Sequence, residues 1–138
     1  MRTILLAAML ASPGLALVNA VIQGRNLKEF LERTPELASS LDLENFKRVA
    51  GRQMWAALAQ GGLLLIAPAC FFWGLMIHCL TPGDFVWILL PSVVVILVAR
   101  SFRSLELKAW SIPAANEYLT GERDRVVKVW RTKPLPDW

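Results

Sequence analysis

Three stretches of the chain, Thr3–Ile22, Met54–Leu80 and Phe85–Ala99, are free of Asp, Glu, Lys and Arg and are dominated by apolar side chains. About 20 helical residues cross a hydrocarbon core roughly 30 Å thick. The first stretch matches that length and the second exceeds it, which predicts a tilted or protruding helix. The third reaches about 27 Å if Pro82 and Gly83 join its first turn, and Arg100 and Arg103 can extend to the headgroups from its end. The pattern predicts an all-α integral membrane protein with three transmembrane helices and short amphipathic interfacial helices. Residues 1–24 form the first transmembrane helix, in the manner of a signal anchor. Residues 25–53 form a helical loop, residues 54–104 a transmembrane hairpin, and residues 105–138 an amphipathic and extended tail.

Between and after the spans the periodicity shortens. Asn26-Leu-Lys-Glu29 reads as a capping box opening a short helix to Arg33, and Pro35 suits the first position of a further element. Asp42 is the expected cap of a helix carrying Leu43, Phe46, Val49 and Ala50 on one stripe, which lacks a breaker before the second span. Thr81-Pro82-Gly83-Asp84 reads as a tight hairpin turn, with Thr81 as N-cap, Pro82 at N1 and Asp84 at N3. Beyond Arg100, Phe102, Leu105 and Leu107 alternate with charged residues. Pro113–Leu119 is expected to be a short helix ended by Gly121, and Lys133–Trp138 an extended end. The loop therefore reads as membrane-hugging rather than as an independent soluble domain.

Composition agrees with a bilayer: 55% of the 138 residues are hydrophobic and mean hydropathy is +0.44. The net charge of +4 would suggest nucleic acid in a soluble protein. Here the basic residues flank apolar runs, so anionic lipid headgroups are the expected partner and nucleic acid is not.

The charge is unevenly placed. Arg25, Lys28, Arg33, Lys47, Arg48 and Arg52 lie between the first two spans, none lies between the second and third, and eight follow the third. Positive loops stay cytoplasmic. The loop and tail are thus expected inside, and the N-terminus and the Thr81–Asp84 turn outside, of a bacterial cytoplasmic (inner) membrane. Arg2 and a Val18-Asn19-Ala20 sequence give the first segment some likeness to a cleaved signal. The apolar run continues through Val21-Ile22, and export of the following basic loop would oppose its charge, so the segment is read as retained.

Small residues recur every fourth position at Ala8, Ser12, Ala16, Ala20 and Gly24. The second span repeats the spacing at Ala57/Gly61 and at Cys70/Gly74, with the amide of Gln60 beside the former. Such faces let helices approach closely in lipid, where dispersion rather than water exclusion drives association. Six tryptophans are present. Trp55, Trp87 and Trp110 suit the membrane interface, while Trp110, Trp130 and Trp138 are candidate partner contacts. His78 is the single histidine and a candidate ligand for haem or a pigment metal. Neither Cys70 nor Cys79 has metal-ligand spacing, and nine helical residues hold them about 13 Å apart, beyond disulfide reach.

No acid lies within a span, and no phosphate-binding loop or Ser/Cys–His pair is visible. The expectation is a non-catalytic small membrane subunit without a cofactor. It would pack against and stabilise, or help assemble, a larger membrane complex. The alternatives are a self-oligomerising holin-like or transport-related protein, whose resemblance to some phage holins concerns topology only, and a haem- or pigment-binding subunit using His78.

Overall fold

The computed structural model describes all residues from Met1 to Trp138. It contains five α-helices: α1 (Arg2–Arg33), α2 (Ser40–Met76), α3 (Val86–Ser101), α4 (Arg103–Trp110) and α5 (Glu117–Thr132). A 3₁₀ turn, Pro82–Phe85, precedes α3. The protein is all-α, and three of its helical segments are long and apolar enough to cross a membrane. It is a multi-pass, bilayer-embedded helical protein.

Several local expectations change. Asn26 does not start a helix, because α1 runs uninterrupted through it to Arg33. A helix already propagating gains a bond per residue and needs no new nucleus, and continuity places Leu27 in the core. The cap of α2 is Ser39 rather than Asp42. The Ser39 Oγ accepts the Asp42 N–H at 3.2 Å, and the Asp42 carboxylate takes the Ser39 N–H at 3.0 Å. This is the reciprocal arrangement of a capping box. Gly121 ends nothing. Asn116 caps α5 by accepting the Leu119 N–H at 2.8 Å, and the helix continues to Thr132 because Leu119, Val126 and Val129 share a buried face.

The chain divides into two compact units. One comprises Met1–Ile22 and Ala59–Ser101, the other Gln23–Leu58 and Phe102–Trp138. The first unit has a sparse interior of Met9, Ala67, Phe71, Leu80 and Ile88. Only 33%, 17% and 11% of the apolar windows in α1, α2 and the Pro82–Trp110 stretch is buried inside the protein. In water such exposed apolar surface would be untenable; facing hydrocarbon it needs no further cover. Pro13, Pro68 and Pro91 lie inside helices that continue through them, as spans allow when freed carbonyls find other partners.

The second unit is packed like a soluble helical domain. Leu27, Leu37, Phe46, Ala50, Ala109 and Val126 are essentially inaccessible, and Phe30, Trp130 and Trp138 close over them. The loop and the tail therefore share one core. The two irregular linkers are joined as well: Leu37 donates its N–H to the Pro113 carbonyl at 2.8 Å and accepts the Ala115 N–H at 3.0 Å, a single parallel bridge. A half-buried Lys47–Glu122 ion pair at 3.0 Å ties α2 to α5.

Candidate functional site

The small-residue faces divide into covered and open parts. On α1, Ser12, Ala16 and Ala20 are buried; Ala8 is half-buried and Gly24 buried. A Cβ on Gly24 would lie 2.5 Å from the Phe102 ring, so this glycine makes room for an aromatic of the same unit. On α2, Cys70 packs at the edge of the first unit's interior. Gly74 is covered by Leu80, whose Cδ1 occupies the place where a Cβ would stand.

The other α2 pair is open. Ala57 and Gly61 are exposed, and nothing approaches within 4 Å of the Cβ position of Gly61 or Gly62. The side-chain amide of Gln60, half-buried beside them, makes no hydrogen bond within the chain.

The hairpin end of the first unit is set by backbone chemistry. Gly74, Leu75 and Met76 form the last turn of α2, and His78 follows with φ 54°. The His78 N–H bonds the Leu75 carbonyl at 3.1 Å and the Cys79 N–H bonds the Gly74 carbonyl at 2.9 Å. This is the paired-bond helix stop that requires a left-handed residue, and histidine is among the few non-glycine types enriched there. The His78 side chain is exposed. Next in the chain, Asp84 accepts the Thr81 N–H at 2.9 Å and the Thr81 hydroxyl at 3.1 Å. It also pairs with Arg2 at 3.1 Å, the carboxylate side chain being 8% and the guanidinium side chain 60% exposed. The start of α1 and the Thr81–Asp84 turn thus share one end of this unit. Sequence reading did not find the Arg2–Asp84 pair, since 82 residues separate the partners.

In the second unit the three candidate contact tryptophans are drawn inward. Trp110 meets Trp130 edge-on at 6.2 Å, and Trp130 meets Phe46 at 6.2 Å. The Arg103 and Arg131 guanidinium groups lie 4.6 and 5.2 Å from the Trp110 ring centre, a favourable placement over an aromatic face. Trp138 rests over Gly51. Each of the three is half-buried. Trp55, Trp73 and Trp87 are exposed instead, as residues of an aromatic belt would be. The extended end is held by an ion pair between Lys133 and Asp137, and this hydrogen bond holds the Asp137 carboxyl below its ordinary value.

Compared with known proteins, the chain matches no family model, no curated protein and no solved structure.

Proposed function

We propose that this protein is a non-catalytic subunit that packs against, and stabilises or helps assemble, a larger membrane protein complex. The observation that carries the reading is the open face of α2. Lipid tails offer no partner to an amide, and a glycine-lined surface gives them little to grip. Gln60 beside Ala57 and Gly61 suits a second helix, which can approach closely and hydrogen-bond the amide. The basic second unit, at the cytoplasmic face of a bacterial inner membrane with the N-terminus outside, accords with the bias of Lys and Arg between and after the spans. Anionic headgroups are its expected lipid neighbours.

The test is purification in mild detergent followed by mass measurement of the intact particle. A second membrane protein in fixed stoichiometry is expected. Gly61→Leu should release it while leaving helix content unchanged. A strictly monomeric particle overturns the proposal, and a mass that is a multiple of the chain alone replaces it with the self-assembling reading.

A further inference from the structure

An open groove of about 440 Å³ lies within the second unit, between the end of α1 and the beginning of α2. Its lining is polar apart from Phe30 and Val49. The one acid, Glu29, is already paired with Arg33 at 3.7 Å. Arg48 and Arg52 stand one turn apart on α2 and take part in no ion pair. Like charges at that spacing repel; both arginines also border the neighbouring groove that holds Glu44 and Asp137, and neither of those carboxylates pairs with them. The amides of Asn26, Asn45 and Gln53 supply neutral donors around them. Gln53 is fixed by donating to the Gln23 backbone carbonyl at 2.9 Å. The side-chain Oε1 of Gln23 is buried and lacks a donor.

Those features define a ligand. Paired guanidiniums suit the oxygens of a phosphate, which they hold by charge-assisted, forked hydrogen bonds. The orphan amide oxygen calls for a hydroxyl or ammonium on the same molecule. Position in the chain supplies the depth: Gln23 directly follows the first apolar run and Gln53 directly precedes the second. That is where a span gives way to the headgroup layer. We infer that this groove binds a phosphate ester bearing a hydroxyl or ammonium donor, the phosphate on Arg48 and Arg52 and the donor on Gln23. A phospholipid headgroup and a soluble glycerol phosphate share this chemistry. The inference deepens the reading above only in placing this unit at the headgroups. It concerns a different face, so capture of a partner and binding of a phosphate can fail separately.

The test is native mass spectrometry of the full chain released from detergent with phosphatidylglycerol, phosphatidylcholine or sn-glycerol 3-phosphate. Phosphatidylglycerol should be retained at least about tenfold better than phosphatidylcholine, whose headgroup carries no free donor. R48Q/R52Q should lower that retention by at least about tenfold. K108Q/K128Q, which removes the same charge elsewhere in the unit, should leave it unchanged. R48K/R52K should fall between, keeping charge but losing the fork. Displacement of the lipid by millimolar glycerol phosphate identifies a soluble phosphate ester as sufficient, and its failure identifies the lipid. Equal losses in R48Q/R52Q and K108Q/K128Q, or none in the former, overturn the inference. A second readout needs no variant: phosphatidylglycerol should slow amide exchange over residues 45–53 of the natural chain, and unchanged exchange also overturns it.

Discussion

Replacing His78 with glycine should leave the protein at least as stable as the natural chain, and replacing it with valine should weaken it. His78 sits at φ 54°. A side chain in that left-handed region crowds the backbone and costs roughly 1–2 kcal/mol, a penalty glycine escapes. Histidine is partly tolerated there, so its removal should recover about 1 kcal/mol, or about fivefold in the folding equilibrium. A β-branched residue fits the region worst, so His78→Val should lose a further ~1 kcal/mol. The two hydrogen bonds of the helix stop, from His78 to Leu75 and from Cys79 to Gly74, are made by backbone N–H groups and survive either change. The assay is equilibrium unfolding in mixed micelles by titration with SDS, followed by far-ultraviolet circular dichroism, with visible absorption spectra recorded on the same samples. The ligand reading of His78 predicts the opposite: glycine and valine would be equally damaging, and a visible band would disappear with both. A glycine variant less stable than the natural protein by more than ~1 kcal/mol, or a band lost with the imidazole, refutes the backbone account.

Three further outcomes are expected. Gly24→Ala should destabilise by about 1–3 kcal/mol through overpacking, because its Cβ would stand 2.5 Å from the Phe102 ring; Phe102→Leu should relieve most of that loss in the same unfolding titration, and additivity of the two changes would contradict the contact. Asp84→Ala should cost about 1–2 kcal/mol by removing the acceptor of the Thr81 N–H, whereas Arg2→Gln should cost under about 1 kcal/mol, since its guanidinium is largely exposed; equal costs would show the ion pair, not the turn, to be the chief role of Asp84. The Asp137 carboxyl, held low first by its hydrogen bond from Lys133, should titrate below the ordinary aspartate range when followed by NMR. A depressed value in the folded chain means the tail contact is present above the ordinary carboxylate range and lost as pH falls through the lower folded value; Lys133→Gln should return the midpoint to normal.

Span positions were legible because each depends on a local sum: a run of apolar side chains favours the bilayer whatever lies elsewhere in the chain. The Thr81–Asp84 turn was legible for the same reason, its bonds joining residues three apart. Reading the caps at Asn26 and Gly121 as boundaries failed because propensity yields to continuity when a longer helix buries Leu27 or Val126. The stripe of Leu43, Phe46 and Ala50 declared that something must cover it without saying what.

The all-α membrane character, the three spans, the hairpin and the bias of charge are readable from residue order, because side chains meeting solvent or near neighbours set each of them. Packing across the chain brings loop and tail into one core, seats Phe102 on Gly24 and joins Arg2 to Asp84. It also leaves Gln60 and the Arg48–Arg52 groove without partners inside the chain. These depend on which surfaces meet across long separations in sequence, and an apolar stripe or a lone charge fits many surfaces until packing selects one.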